Sequence, residues 1–357
     1  DAGRKKDQAP RDKDTRDILD RALPPPPDIP TMTEAIPPPP DGPPPPPPDG
    51  PPPPPDGTPP PQDQGTQPVW WQMTSGTQED LHGVWAISPT SVFAVGDDGI
   101  VLHYDGNPLL KWKTLDTYKS LGSQKSDLRA VHGLGAKALV VGNDNADLLC
   151  TSTSCGPSTF RGGMPASMHW TAVWCDSKGD CYAGGQNTSG SRAYLYRMNQ
   201  NTWWWLCGGE KGAFLGTEVF GISGIDGSSS PTVYAVGQSG RVNYGGMLGI
   251  GCGKMGSTGV TASLRSVWTM PGAPLYVVGD KGTSSGMLLS YEAAKWTNLG
   301  GGIKVNLKGV WGDAKNSVWV VGDGGFVRHI VGTQWNTYNL LVTKDLHAVH
   351  GAGPKDV

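Results

Sequence analysis

Short runs of β-branched and aromatic residues alternate with Gly, Asp, Asn and Ser throughout residues 69–357. One run recurs with an apolar first residue, a variable second residue, a small third residue, and Val or Ile fourth. We call this run the anchor segment. Its seven copies, which begin 39 to 49 residues apart, are 81–85, 128–132, 170–174, 219–223, 264–268, 307–311 and 346–350.

Three further runs follow most anchor segments. The second run ends in Val-Gly in most copies, as in 92–96 and 318–322, and is followed by Asp or Asn and by a Gly-containing turn. A third apolar run comes next, and a fourth has an aromatic residue near its start, as at Trp296 and Trp335. Four short strands in a unit of about 44 residues are typical of a β-propeller blade, whereas solenoid repeats carry fewer strands. The sequence therefore predicts an all-β fold, a propeller.

The number of blades depends on the two ends of the repeat region. Trp70 precedes Leu81 by eleven residues, the same spacing that separates Trp335 from Leu346. This predicts that 69–73 and 346–350 are the outer and inner strands of one blade, which lacks its middle strands. We therefore expect a seven-bladed propeller whose last blade is incomplete in this chain and leaves a notch, with six blades as the alternative.

Residues 1–68 have a different composition. They hold 25 of the 33 prolines, together with alternating acidic and basic residues near the start. Proline runs favour polyproline II, and almost no apolar side chains are available to form a core. We expect a disordered, charged and proline-rich tether over 1–68, followed by the propeller over 69–357. A ligand for proline-recognising modules is the alternative.

All six cysteines lie in one stretch of the chain. Cys150 and Cys155 bracket one short polar turn, and Cys175 and Cys181 bracket another, so each pair can bridge a hairpin. By elimination, Cys207 would then pair with Cys252. Zinc sites prefer other spacings. Disulfides indicate an oxidising compartment, so we expect an extracellular, cell-surface or periplasmic protein. The chain shows no signal peptide or membrane-spanning run, and starts at Asp1 as a processed product would. We expect membrane contact only through an upstream lipid anchor.

Two sets of polar residues recur at fixed places in the repeat. The second residue of the anchor segment is basic or titratable in five of the seven copies, which predicts a polar or cationic binding rim at one channel mouth. The alternative is solvated strand ends without a ligand. The second set follows the Val-Gly step and suits either calcium or hairpin turns, of which we favour turns. The predicted rim residues are His82, Arg129, Arg265, Lys308 and His347, and the second set is Asp97, Asn143, Asp280 and Asp323.

No recognisable catalytic motif occurs, and we expect no cofactor and no metal. The propeller region carries 22 basic and 20 acidic residues, which gives no support for a nucleic-acid partner.

The Leu-x-Gly-Val-Trp and Val-Gly-Asp-x-Gly segments, such as 307–311 and 321–325, resemble those of bacterial secreted lipoprotein-type propellers. They are more distantly similar to photosystem assembly-factor propellers and sialidase-type repeats. The resemblance implies scaffolding, adhesion or assembly. It does not imply sialidase activity, because no positions match the arginine triad that sialidases need.

Two functions follow from these observations. The first is a non-enzymatic surface or periplasmic module that binds a protein or glycan through a propeller face. The alternative is an extracellular polysaccharide hydrolase or lyase, which would need acids, histidines or arginines converging at one channel mouth.

Overall fold

The protein is described by a computed structural model that covers residue 70 and residues 72–357 with gaps. The predicted tether over 1–68 therefore lies outside the described residues. The gaps are 108–111, 118–120, 122–124, 159–166, 200–201, 209–218, 226–231, 246–252, 281–285 and 341.

The described strands form six four-stranded antiparallel sheets, in each of which the strands lie side by side in chain order. Blades one to three consist of β1 Leu81–Ser88, β2 Ser91–Gly96, β3 Val101–Tyr104 and β4 Lys113–Thr114; β5 Leu128–Leu134, β6 Lys137–Gly142, β7 Asp147–Cys150 and β8 Cys155–Pro157; β9 Met168–Cys175, β10 Cys181–Asn187, β11 Ala193–Asn199 and β12 Thr202–Gly208. Blades four to six consist of β13 Val219–Ile225, β14 Thr232–Gly237, β15 Val242–Gly245 and β16 Gly253–Lys254; β17 Leu264–Trp268, β18 Leu275–Gly279, β19 Met287–Glu292 and β20 Lys295–Asn298; β21 Leu307–Ala314, β22 Ser317–Gly322, β23 Phe326–Val331 and β24 Gln334–Asn339.

This arrangement confirms the predicted all-β propeller. The inner strand of each blade contacts the inner strand of the next, from β1 through β5, β9, β13 and β17 to β21. Apolar clusters lie between successive blades, such as Phe93 and Val140 between blades one and two. Because the second strands are covered on both faces, most of their Val and aromatic residues are almost fully buried.

The seven-blade prediction was wrong, and the six-blade alternative is confirmed. Residues 346–350 form no strand. They nevertheless occupy the place of a seventh inner strand, between β21 and β1. A Cβ on Gly309 would lie 3.1 Å from the backbone of Ala348, just as one on Gly83 would lie 3.3 Å from the backbone of Ala130 in the next blade.

A hydrogen bond repeats this equivalence on the other side of the segment. The Ala86 amide donates to His350 Nδ1 at 3.2 Å. At the corresponding positions of blades two and three, the Cys175 amide donates to His132 Nδ1 at 3.1 Å. The seventh anchor segment thus completes the inner ring without belonging to a sheet.

The expected notch with exposed apolar faces is also not formed. Trp319 of blade six is only 1% exposed. Trp70 packs edge-on against it at 5.5 Å, and Leu346, Val349 and Val357 cover the same cluster. The predicted outer strand 69–73 is absent at the described residues Trp70, Gln72 and Met73, which form no strand.

Two of the predicted disulfides are confirmed. Cys150 pairs with Cys155 across the turn between β7 and β8, and Cys175 pairs with Cys181 across the turn between β9 and β10. Cys207 is disulfide-bonded as well. Its predicted partner, Cys252, lies outside the described residues. In the described part of the chain, no helix has the length and apolar character needed to cross a membrane.

Candidate functional site at the channel mouth

A β-bulge lies at the second residue of every anchor segment that forms a strand. In blade one, Leu81 pairs with Gly96 and Gly83 with Val95, so His82 is the extra residue. The same shift occurs at the corresponding residues of the five other blades: Arg129, Thr171, Phe220, Arg265 and Lys308. A bulge interrupts the alternation of a strand and re-aims the side chain of the extra residue.

The bulged side chains converge around one end of the central channel. Together with His347 of the strandless seventh segment, they line a cavity of about 600 Å³, which we call the channel mouth. All five residues predicted for a binding rim therefore lie in one place. Their role in binding a ligand stays a prediction.

Carboxylates from the second predicted set hold these side chains. Asp280 receives two hydrogen bonds from the Arg265 guanidinium, at 2.8 and 2.7 Å. Lys308 Nζ lies 3.0 Å from Asp323 Oδ1. His82 Nε2 lies 2.7 Å from Asp97 Oδ1. Members of the two predicted sets therefore form one layer of hydrogen bonds and ion pairs, in which these aspartates act as partners of the rim residues.

Further carboxylates join this layer from the residue just before the anchor segment. Asp127 accepts a hydrogen bond from Arg129 at 2.8 Å, and Asp345 accepts one from Lys308 at 2.7 Å. Asn306 occupies the same place in blade six and donates to Asp323 at 2.6 Å. The sequence analysis missed these three residues, although a polar residue before most copies of the anchor segment was a usable signal.

The mouth is therefore polar but not cationic. Arg129, Arg265 and Lys308 are its three permanent cations among the described residues. Three carboxylates line the mouth with them, Asp280, Asp323 and Asp345. Asp97 and Asp127 do not line the cavity, but both form ion pairs with Arg129.

The charges are distributed unevenly around the ring. Blades two and three carry Asn143 and Gln186 where blades one, five and six carry aspartate. A recess of about 390 Å³ opens beside these two amides and is lined by no carboxylate among the described residues. Phe220 lies in the wall of this recess, with the Arg265 guanidinium 4.4 Å above its ring. The mouth thus offers both a side that carries carboxylates and a carboxylate-free side with an aromatic ring and two guanidinium groups.

Asp345 and Lys308 are both charged at neutral pH. Hydrogen bonds from Lys308 and from the Gly324 amide hold the pKa of Asp345 at about 2. Burial opposes the charge of Lys308, but the hydrogen bonds that it donates to Asp345 and Asp323 raise its pKa. Burial, followed by the neighbouring Lys308 and His82, lowers the pKa of His347, which favours its neutral form.

The one hydroxyl group among the residues that line the mouth faces the backbone. Thr171 Oγ1 donates to the carbonyl of Val219. Among the described residues, no group of three or more His, Cys, Asp or Glu side chains can hold a metal ion.

Comparisons with known proteins identify the fold. No protein-family model matches the sequence, and a search of curated proteins finds no significant match. Among solved structures, YCF48 bound to D1 peptide matches with a TM-score of 0.54 and 15% identity, over 74% of this chain and 82% of that chain. YCF48 from Cyanidioschyzon merolae matches with a TM-score of 0.56 and 15% identity, over 80% and 93%. The WD40 β-propeller domain of Doa1 matches with a TM-score of 0.57 and 11% identity, over 77% and 86%. The chain therefore shares the propeller fold of YCF48 and of the WD40 domain of Doa1.

Proposed function

We propose that the protein is a non-enzymatic binding module that engages a segment of a partner protein at the channel mouth. The observation that carries the proposal is the convergence of seven anchor segments on one cavity, with each bulge aiming a side chain into it. Structural packing alone does not require charged residues at these positions, since Thr171 and Phe220 occupy equivalent bulges in blades three and four.

The polarity of the mouth supports a peptide ligand. An extended peptide has alternating donors and acceptors, which suit a lining that holds carboxylates, guanidinium groups, an ammonium group and an amide. Its side chains can reach the carboxylate-free recess beside Phe220. A related fold has been solved with a ligand of this kind, since one matching structure is YCF48 bound to D1 peptide.

The location and presentation of the module belong to the same proposal. Disulfides persist in oxidising compartments, which supports a cell-surface or periplasmic protein. We propose that 69–357 forms the binding domain and that 1–68 acts as a tether. A proline-rich tether of this kind reaches about 3.1 Å per residue where it is fully extended.

Selection of random peptides on the full-length protein tests the proposal. We expect selected peptides to bind the wild-type protein and to lose about tenfold or more in affinity with Arg265→Gln or Lys308→Gln. Lys137→Gln and Lys295→Gln are matched controls, because both lysines are exposed and do not line the mouth. Equal binding by the rim and control variants, or failure to select any peptide, would contradict a peptide site at the mouth. Turnover of soluble polysaccharides would support the enzymatic alternative instead.

A further inference from the structure

A small cavity lies beside β15 and β16, the two outer strands of blade four. It has a volume of about 110 Å³ and is lined by the turn before β15 and by the segment that begins in β16 and continues beyond it. It shares no lining residue with the channel mouth. Sites for drug-sized ligands occupy about 300–1,000 Å³, so this cavity has room only for a small group.

The lining of this cavity is cationic. Arg241 and Lys254 belong to it, and no carboxylate among the described residues does. The two cations flank one backbone contact, because the Met255 amide donates to the Val242 carbonyl at 2.9 Å. No Asp or Glu occurs in residues 227–279, so neither the turn nor the strands beside it supply an acidic side chain. We call this cavity the basic pocket.

The same backbone arrangement occurs in blade one. The Thr117 hydroxyl donates to the Gly99 carbonyl at 2.9 Å, as the Thr258 hydroxyl donates to the Gly240 carbonyl at 2.9 Å. A cavity lies beside Gly99 and Thr117 as well. The two cavities are therefore equivalent parts of the repeat, and their side chains can be compared position by position.

The charges at these equivalent positions are reversed. Two aspartates that line the cavity of blade one correspond to neutral residues in blade four, and two neutral residues correspond to cations. The strand registers match Asp98 with Ser239, Asp116 with Gly256, Ile100 with Arg241 and Thr114 with Lys254. Because the fold accepts either sign of charge at this place, packing alone does not account for the cations of the basic pocket.

Uncharged donors complete the lining. Gly256 and Ser257 line the basic pocket, and their amides donate to no backbone carbonyl in the described part of the chain. Ser257 Oγ accepts a hydrogen bond from the Gly259 amide at 3.2 Å, which leaves the hydroxyl hydrogen to donate. Two cations, a hydroxyl group and backbone amides therefore meet in one small space without a carboxylate.

We infer that the basic pocket binds a tetrahedral oxyanion, phosphate or sulfate, either as the free ion or as a terminal ester. Such an anion accepts several charge-assisted hydrogen bonds, and guanidinium and ammonium groups are its usual partners in proteins. Backbone amides in a concave turn add donors for the same anion. The volume favours a single group of this size, and the carboxylate-free lining disfavours a cation.

Isothermal titration calorimetry of the full-length protein with inorganic phosphate and with inorganic sulfate tests the inference, at an ionic strength held constant with sodium chloride. We expect at least one of the two ions to bind, and Arg241→Gln and Lys254→Gln each to weaken it by about tenfold or more, the usual effect of losing a charged hydrogen bond. Lys295→Gln is the matched control, because Lys295 is an exposed lysine on the outer strand of the next blade and does not line the pocket. Equal losses in Lys254→Gln and Lys295→Gln, or no binding of either ion, would overturn the inference.

A second pair of variants tests the charge of the pocket without removing a side chain. A Cβ at Gly256 would meet no atom within 4 Å, so a side chain fits there. Gly256→Asp introduces the carboxylate that blade one carries at this place, whereas Gly256→Asn adds a neutral side chain of the same shape. Gly256→Asp is expected to bind the anion about tenfold more weakly than Gly256→Asn. Equal affinities of the two variants would also count against the inference.

Methyl phosphate distinguishes the two sources of the anion. If it binds as tightly as inorganic phosphate, the pocket accepts an ester at the end of a larger molecule; if only the free ions bind, the ligand is the ion itself. Both results support an oxyanion site. The peptide-binding variants Arg265→Gln and Lys308→Gln are expected to bind the anion normally, which keeps this test independent of the channel mouth.

Discussion

His132 and His350 occupy the fifth position of the anchor segment and are held neutral by their surroundings. Burial lowers the pKa of His132 to about 4 and that of His350 to about 3. In each residue Nδ1 accepts a backbone amide hydrogen, so protonation would remove the acceptor as well as bury a charge. Both rings also pack against Trp85, with the ring centroids 3.8 and 4.2 Å apart and the ring planes tilted by 40° and 44°. A pair of neutral histidines therefore joins the first, second and seventh anchor segments.

Because the pKa values of these histidines are lowered in the folded state, we expect the protein to lose stability in acid. A histidine with a depressed pKa in the folded state stabilises the fold fully above its unfolded pKa of 6.5, and this contribution declines as the pH falls towards about 3. The decline approaches about 1.4 kcal/mol per pH unit for each such histidine. Urea unfolding from pH 7.5 to 4.5 measures it. His350→Asn retains an acceptor but does not titrate. The free energy of unfolding that this variant loses relative to the wild type should therefore shrink as the pH falls. A deficit that is constant with pH would contradict this account.

The glycine after an anchor segment determines how closely neighbouring blades approach. A Cβ on Gly312 of β21 would lie 2.6 Å from the indole of Trp268 in blade five. One on Gly133 of β5 would lie 2.4 Å from the indole of Trp85 in blade one. At these positions, and at Gly351 against Trp311, a tryptophan at the fifth position of one anchor segment packs on the glycine at the sixth position of the next. The requirement is for space and not for a special backbone conformation.

Gly312→Ala is therefore expected to destabilise the protein by about 1–3 kcal/mol, the usual cost of overpacking. The matched control is Gly301→Ala, because a Cβ at Gly301 would meet no atom within 4 Å. Thermal unfolding of the two variants checks the difference. A similar melting temperature for both would show that the blades can separate to accommodate the methyl group.

Each of the two short disulfides is expected to contribute about 2 kcal/mol to the free energy of unfolding. This value is modest because closing a small loop removes little entropy from the unfolded chain. They close 5 and 6 residues of sequence across hairpins that are also paired by backbone hydrogen bonds. Replacing Cys150 and Cys155 together by Ser should lower stability by about this amount and leave the fold intact. Denaturant unfolding with and without a reducing agent provides the check. A collapse of the fold in the double variant would contradict it.

The strands, the repeat and two disulfides could be predicted from the sequence because each depends on local pattern. The rim residues were also predictable, since equivalent residues of a ring come together. The pairing of the aspartates with the rim residues could not be predicted, because it depends on the bulge. A bulge at a residue such as Arg265 shifts the strand register and brings Asp280 alongside. The blade count was misjudged for another reason. A place in the inner ring can be filled by packing and one hydrogen bond, as at His350, without any sheet.

The closure of the ring depends on this seventh segment at the scale of the whole molecule. Blades one to six are joined in series through their inner strands. The contact between the last and the first runs through 346–350, which packs on Trp311 and Trp319 on one side and binds Ala86 on the other. Asp345 and His347 of the same stretch also complete the channel mouth. Stability and the candidate site therefore share this element.

Truncation after Asp345 is accordingly expected to open the ring between blades six and one. It removes Leu346, Val349 and Val357 from the cluster around Trp319, and leaves the Ala86 amide without its acceptor. The lost acceptor alone costs about 1–3 kcal/mol where the amide stays buried. We expect a lower melting temperature, greater quenching of tryptophan fluorescence by acrylamide, and self-association through the uncovered face.

A synthetic peptide of residues 346–357 should reverse these changes when it is added in trans. The same peptide with His350→Ala should do so less well, because it cannot accept the hydrogen bond from the Ala86 amide. If the truncated protein has the same melting temperature as the intact one, the six blades close without the seventh segment. Residues 346–350 would then line the mouth without stabilising the ring.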